Sequence, residues 1–359
     1  MTSLAIKAGQ GDYAVDFVNN LLALVKIIQS VPRAVLVIDR QVAGLYHEVL
    51  APLTAQLPVI EIDATEDEKS LAGVTKVLGF LQQSNATRQT NLVVMGGGIV
   101  QDIASFAAHV YYRGLKWIFV PTTLLSMSDS CIGAKVAINF NGFKNQLGFF
   151  HAPARVLVCT SFLATLSDID IRSGYGEIVK LALTGSAELF NQVRAAVEGS
   201  GFRNPQIAAL IYQSLNVKKS VIEIDEYETD LRRILNYGHT FGHALEGYTD
   251  YEVPHGLGVA WGIDVANWIA YRRGLLSEAD YAVIHAFLAQ HFKFHITRTV
   301  QATDLIERSR RDKKVAEGRL NLILLERPGR LKIVPVEYDA SLAAAITEYL
   351  DKSSIITSR

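Results

Sequence analysis

Apolar positions along the first half of the chain recur with two different periods. Across residues 12–28, Val15, Val18, Leu21, Leu22 and Val25 fall three and four apart, which predicts a helix. Residues 34–38 form an unbroken apolar run ending at Asp39 and read as a buried strand. A helix is then expected over 42–51, a strand over 58–62, a helix over 71–82 and a strand over 91–95. Strands alternating with helices imply a parallel sheet covered on both faces, a Rossmann-like α/β domain. From about Asp168 the helical period takes over, with helices expected over 177–184, 205–224, 233–248, 256–273, 278–291 and 340–350. Residues 320–325 and 331–335 flank Pro328-Gly329 as a small hairpin. The pattern divides the chain into an α/β domain over 1–170 and a mainly α-helical domain over 171–359.

Composition narrows the function classes. Apolar residues make up 49% and charged residues 20%, a globular balance. Thirty-five basic against 36 acidic residues leave a net charge of -1, so no global field grips nucleic acid or a membrane surface. Charges and glycines interrupt every apolar stretch before membrane-spanning length. Two cysteines, Cys131 and Cys159, fit a reducing cytoplasm better than a disulfide scaffold.

Candidate chemistry gathers in three places. Gly96-Gly97-Gly98 follows the strand ending at Met95 and leads into a helix over 99–109. Glycines let a bulky anion approach the backbone, and the helix start offers free N–H groups, which suits the pyrophosphate of a dinucleotide. The spacing is not GxGxxG, so a plain strand-to-helix turn explains it equally well. Asp39 suits ribose hydroxyls or a helix cap. His239 and His243, four apart in a helical pattern, share one face with Asn236 a turn earlier. His255 opens the next helix after Pro254, and Glu177 lies early in another, with Lys180 one turn on. Two histidines and a carboxylate leave an open coordination position, as a catalytic metal requires. Spacing alone leaves His243 open as ligand, acid–base group or phosphate binder. Thr122-Thr123 closes a strand, and Asp129, Lys135, Lys144 and Asn145 follow in loops, a mixture that suits a phosphate. Lys218 and Arg232 flank an acidic run over 223–228 that reads as a solvated face.

Taken in order, GGGIVQD over 96–102, YRG over 112–114, PTTLLSMSDSCIGAK over 121–135, Lys144-Asn145, GEIVK over 176–180, LRRILNYGHTFGHALE over 231–246, PHG over 254–256 and DKK over 312–314 resemble the dehydroquinate synthase family of sugar phosphate cyclases. The resemblance implies that Glu177, His239 and His255 hold zinc or cobalt. It places Asp39, Glu66, Lys69, Gly97, Gly98, Asp102, Thr122, Thr123 and Lys144 around NAD. Lys135, Asn145, Asn236, His243 and Lys313 match positions around the substrate's phosphate and ring hydroxyls, and Lys218 and Arg232 match its carboxylate site. Lys180 and Asp129 complete the implied catalytic set, and Arg113 matches a residue donated across a homodimer interface. The implied reaction turns 3-deoxy-arabino-heptulosonate 7-phosphate into 3-dehydroquinate and phosphate. It proceeds by NAD-assisted oxidation, phosphate elimination, reduction and aldol closure, so the enzyme is a carbon–oxygen lyase.

Related cyclases act on sedoheptulose 7-phosphate or glucose 6-phosphate, which carry no carboxylate. A buried Lys218/Arg232 pair would be poorly used by them, which favours an acidic substrate. Departures from the family pattern leave room for a paralogue of secondary metabolism: Gln101 and Ala134 stand where glycines are usual, Ala64-Thr65-Glu66 replaces Pro-Gly-Glu, and the loop over 139–143 differs. A metal-dependent alcohol dehydrogenase of related architecture and a non-catalytic binding or scaffold paralogue are the remaining alternatives, the second disfavoured because unpaired buried charges are costly without a ligand.

Overall fold

The structure, a computed structural model, describes residues 2–310, 315–316 and 319–358. The chain separates into two compact units, Met1–Ser167 and Asp168–Arg359.

Seven strands of the first unit form one sheet. In chain order they are β1 (Ser3–Ile6), β2 (Tyr13–Phe17), β3 (Ala34–Asp39), β4 (Val59–Ile62), β5 (Asn91–Gly96) and β6 (Lys116–Pro121), then β9 (Arg155–Val158) after an intervening hairpin. Across the sheet they run β1-β2-β9-β6-β5-β3-β4, and only β1 and β2 pair antiparallel. The central strands are apolar throughout because helices cover both faces: Leu36, Val37, Ile38, Val93, Val94 and Met95 are shut off from water. Each such side chain contributes roughly 1.5–3 kcal/mol on burial. The parallel sheet puts the strand ends Asp39, Gly96 and Pro121 along one edge, where the ligand crevice of such sheets lies.

Three sequence expectations for this unit are corrected. Residues 12–28 are not one helix but the strand β2 and a helix, Leu21–Gln29. Both β1 and β9 claim the backbone of β2, and Asn20 starts the helix by accepting from Ala23 N at 2.9 Å. The helix expected over 42–51 breaks at Tyr46, giving Arg40–Leu45 and His47–Thr54. Tyr46 packs edge-on against Phe162 and hydrogen-bonds Thr165 Oγ1 at 2.8 Å, which fixes the break. None of the four residues expected in loops lies in one: Asp129 is in the short helix Ser126–Ser130, and Lys135, Lys144 and Asn145 are in strands, where β7 (Lys135–Phe140) and β8 (Phe143–Phe150) form an antiparallel hairpin.

The second unit is mainly helical, with the helices Asp168–Gly185, His239–Tyr248 and His255–Arg272 at its centre. Their backbones nearly touch. A Cβ placed on Gly256 would stand 1.7 Å from Ser173 O, and one on Gly176 would stand 1.9 Å from Gly256 O. Only glycine permits that approach. The helix expected over 233–248 is corrected here: Gly238, at φ +81°, separates a 3-10 turn, Leu231–Asn236, from the helix that begins at His239. Asn236 therefore does not share a helix face with His239. Arg319–Arg327 and Arg330–Glu337 form the expected hairpin around Pro328-Gly329. Among the described residues no helix is long and apolar enough to cross a membrane.

Asp264, in the middle of His255–Arg272, is fully buried and accepts from Tyr349 OH at 2.9 Å, with His285 Nδ1 at 2.8 Å. The hydrogen bond to Asp264 raises His285 above its ordinary value, against the effect of burial. A raised histidine contributes stability that is complete below its unfolded value of about 6.5 and is lost as pH rises through its folded value. Thermal midpoints of the wild type are expected to fall more steeply above about pH 6.5 than those of His285→Gln at constant ligand loading. Parallel curves would contradict this.

Candidate active site

The helix Asp168–Gly185 carries Glu177 almost wholly buried, between the starts of two other helices. Its Oε1 lies 3.1 Å from His255 Nε2 and 3.5 Å from His239 Nε2, and its Oε2 lies 2.5 Å from Lys180 Nζ. His239 and His255 are the first residues of their helices. His243 stands one turn after His239, exposed, with ring centroids 5.1 Å apart. Nitrogens of His239, His243 and His255 all lie within 4.8 Å of one another.

The outer nitrogens are already engaged. His255 Nδ1 lies 2.9 Å from Glu246 Oε1, and His239 Nδ1 lies 3.2 Å from the Tyr237 carbonyl. Each acceptor favours a proton on Nδ1, so that Nε2 is the nitrogen that can give its lone pair to a metal ion once any proton it shares with Glu177 is lost. Burial opposes charge on Glu177, but Lys180 and the two imidazoles outweigh it and hold the carboxyl well below its ordinary range. Burial also lowers His239, which favours its neutral form, although Glu177 pulls the other way. His255 behaves oppositely: burial is outweighed by Glu246 and Glu177, which raise it to about 10. Two carboxylates thus hold a positive charge at this point, and a cation bound here would take the place of that proton.

Two further cations are buried in the same unit, Lys218 on the helix Ile207–Ile222 and Arg232 on the 3-10 turn. Arg232 donates to the Glu226 carbonyl, and Asn236 Nδ2 donates to Glu228 Oε1. Lys313 lies outside the described residues.

In the first unit, five of the residues singled out from sequence, together with Asn139, form a continuous polar chain. Lys69 Nζ contacts Asp102 Oδ2 at 2.6 Å and donates to Asn145 Oδ1 at 2.8 Å. Asn139 accepts from Asn145 N at 3.0 Å and donates to Glu66 Oε1 at 2.8 Å, and Lys144 Nζ lies 3.4 Å from the same oxygen. Burial pushes Asp102 up against the pull of Lys69. Burial likewise acts on Glu66, but Asn139, Lys144 and Lys69 outweigh it and lower that carboxyl. Gly97 precedes the helix Gly98–Val110, whose start has no side-chain cap, and a Cβ on Gly97 would meet Thr123 Cγ2 at 3.0 Å. Thr122 N donates to Gly96 O at 3.0 Å, tying β6 to the glycine turn. Asp39 accepts from Gln41 N at 2.8 Å through Oδ1, a helix-capping contact. Asp129 lies in the short helix Ser126–Ser130, Lys135 is exposed at the start of β7, and Arg113 is exposed at φ +66°.

The departures from the family pattern have local consequences. Gln101 donates to Ser130 O at 2.9 Å and accepts from Ser130 Oγ at 2.8 Å, fastening Ser126–Ser130 to the helix Gly98–Val110. Ala134 adopts φ +58°, the left-handed region where glycine is unstrained.

Glu246 received no role from sequence reasoning. Its signal is nevertheless present, since it falls seven residues after His239 and so two turns along the same helix face. The role of the Tyr237 carbonyl had no sequence signal.

Comparison with known proteins gives one consistent answer. Residues 59–173 match the description "3-dehydroquinate synthase N-terminal" and residues 174–315 match "3-dehydroquinate synthase C-terminal". The chain is 34% identical over 306 residues to the 3-dehydroquinate synthase of Legionella pneumophila (strain Lens), covering 83% of this chain and 82% of that one. It is 38% identical over 280 residues to that of Dictyoglomus turgidum, covering 77% and 78%. Among solved structures, 2-epi-5-epi-valiolone synthase from Streptomyces hygroscopicus subsp. jinggangensis, with NAD+ and Zn2+ bound, superposes with a TM-score of 0.87 at 27% identity, covering 97% of this chain and 99% of that chain. A 2-deoxy-scyllo-inosose synthase complexed with carbaglucose-6-phosphate, NAD+ and Co2+ gives 0.85 at 26%, covering 98% and 100%. An iron-containing alcohol dehydrogenase from Thermotoga maritima gives 0.62 at 14%, covering 94% of this chain and 97% of that chain, a likeness of fold alone. Matched in both its halves and a third identical to the curated synthases, this chain belongs to the 3-dehydroquinate synthase family and is an enzyme of that family.

Proposed function

We propose that this enzyme converts 3-deoxy-arabino-heptulosonate 7-phosphate to 3-dehydroquinate and phosphate, acting as a carbon–oxygen lyase with NAD and one divalent metal ion. The observation that carries the reading is the oriented donor set. Glu177 sits between the Nε2 atoms of His239 and His255, whose Nδ1 atoms are already engaged. Two imidazoles and one carboxylate fit zinc or cobalt and leave positions for substrate oxygens. The uncapped helix start at Gly97-Gly98 fits the NAD pyrophosphate, and Asp39, Glu66, Lys69, Asp102, Thr122, Thr123 and Lys144 supply polar groups for the rest of the cofactor. When bound, the metal polarises the substrate's alcohol and carbonyl oxygens while NAD accepts and returns a hydride.

The chain's own residues then bind and orient. Lys180 neutralises Glu177 so that the donor set is not over-charged. Lys218 and Arg232 provide buried positive charge for the substrate carboxylate, and Arg232 offers the planar fork that matches it. Lys135, Asn145 and Lys313 hold the phosphate and ring hydroxyls, with Asn236, His243 and Asp129 positioning the reacting carbons. Arg113 is assigned to the site of a second copy, making the enzyme a homodimer. Two buried cysteines outside any disulfide, Cys131 and Cys159, fit a cytoplasmic enzyme.

Glu246→Gln is expected to weaken zinc or cobalt affinity about 10–100-fold, because the outer partner of a metal-bound histidine sets its basicity. A chelator competition titration checks this, and unchanged affinity would contradict the assignment of His255. Substrate choice is tested by phosphate release from the heptulosonate, sedoheptulose 7-phosphate and glucose 6-phosphate. The reading expects the heptulosonate to be preferred, with Arg232→Met removing about a hundredfold of kcat/KM for it, the scale of a buried charged contact. Turnover of sedoheptulose 7-phosphate but not the heptulosonate would overturn it.

A further inference from the structure

Between the helix that carries Lys218 and the 3-10 turn that carries Arg232, the chain makes a tight acidic loop. The sequence reads this run as a solvated face, yet Asp225 within it is only 8% exposed. Its Oδ1 accepts from Thr229 N at 2.9 Å and Thr229 Oγ1 at 3.1 Å. Its Oδ2 accepts from Asp230 N at 2.8 Å and Arg232 N at 2.9 Å. Four donors converge on one carboxylate, and the loop they close includes Glu228 at φ +59°. Arg232 is 2% exposed, and its guanidinium donates to Glu226 O inside that loop. Asp225 thus fixes the main chain of Arg232, and the loop it closes receives the side chain. The same loop presents Glu228 to Asn236.

We propose that Asp225 is a positioning residue for substrate specificity: it folds residues 225–232 so that Arg232 is aimed at the substrate's carboxylate. The inference rests on the reading of Arg232 as the carboxylate-binding residue. Asp225 does not touch substrate. An asparagine has the same shape, but its amide would turn an N–H toward backbone donors that need an acceptor. Loss of loop closure then appears as weaker binding of an acidic substrate, not as loss of the metal site.

The test compares full-length wild type with Asp225→Asn and Thr229→Val, all loaded with NAD and Co2+. For the heptulosonate phosphate, Asp225→Asn is expected to raise KM about tenfold or more, the scale of a lost hydrogen bond to a charged group, with kcat within about threefold. Thr229→Val deletes one bond only and is expected to raise KM by about two- to fivefold, which keeps the test open if the first variant fails to fold. Co2+ affinity, read from visible absorption, should match wild type. Trypsin cleavage at Arg232-Arg233 should accelerate in both variants, a readout independent of any substrate. An unchanged KM with unchanged cleavage overturns the proposal, as does a rise in KM matched by parallel losses of kcat and Co2+ affinity. Wild type that releases no phosphate from the heptulosonate refutes the functional reading instead, and trypsin alone then decides whether Asp225 orders the loop.

Discussion

His239→Ala is expected to lower kcat/KM by more than about a thousandfold and to abolish the visible absorption of the cobalt-loaded enzyme. Three features make the effect large. His239 is the first residue of its helix, directly after the left-handed Gly238, which has no side chain to take its place. Its Nε2 is one of two imidazole nitrogens on Glu177 Oε1. Its loss also leaves the buried Glu177 with one fewer positive or polar partner, which disfavours the charged carboxylate. NAD affinity should stay close to wild type, because the groups assigned to the cofactor belong to the other unit. Equal loss of NAD and metal binding would point to general unfolding. Retained cobalt absorption would shift the ligand role to His243, whose nitrogens also lie within 4.8 Å of the pair.

Gly256→Ala is expected to lower the thermal midpoint by about 10 °C, corresponding to roughly 3–5 kcal/mol. The new methyl would stand 1.7 Å from Ser173 O and 3.0 Å from Ser173 Cα, both main-chain atoms that cannot swing aside. The helices Asp168–Gly185 and His255–Arg272 must therefore separate, and they carry Glu177 and His255. Metal affinity should fall together with stability. Gly79→Ala provides the contrast, since nothing lies within 4 Å of its added Cβ in the helix Leu71–Gln83. That change should stabilise by about 0.5–1 kcal/mol. Similar midpoints for the two variants in a thermal melt would contradict the close-packing account.

Much of this was readable from residues alone, for reasons that differ by region. The buried parallel strands β3 and β5 were legible because both faces are covered and the apolar run has no breaks. β7 and β8 were not, because their side chains are mostly half-exposed or exposed and the alternation that marks a strand is weak. Gly238 hides in a helical period because periodicity carries no information about φ. His239 and His243 could be placed on one face by spacing, but only chain folding brings Glu177 to His255, 78 residues away. Asp225 looked like one of several surface carboxylates, since nothing in the run Glu223–Glu228 distinguishes the one that turns inward. Residue chemistry supplied the candidate ligands, and close helix packing decided their neighbours.

The central claim is a cyclase that uses NAD without consuming it. Phosphate release and NADH absorbance measured together, with the heptulosonate phosphate, NAD and zinc or cobalt, test it most directly. The account predicts one phosphate released for each substrate consumed, with no net accumulation of NADH. Steady accumulation of NADH without phosphate release would contradict it and identify a dehydrogenase.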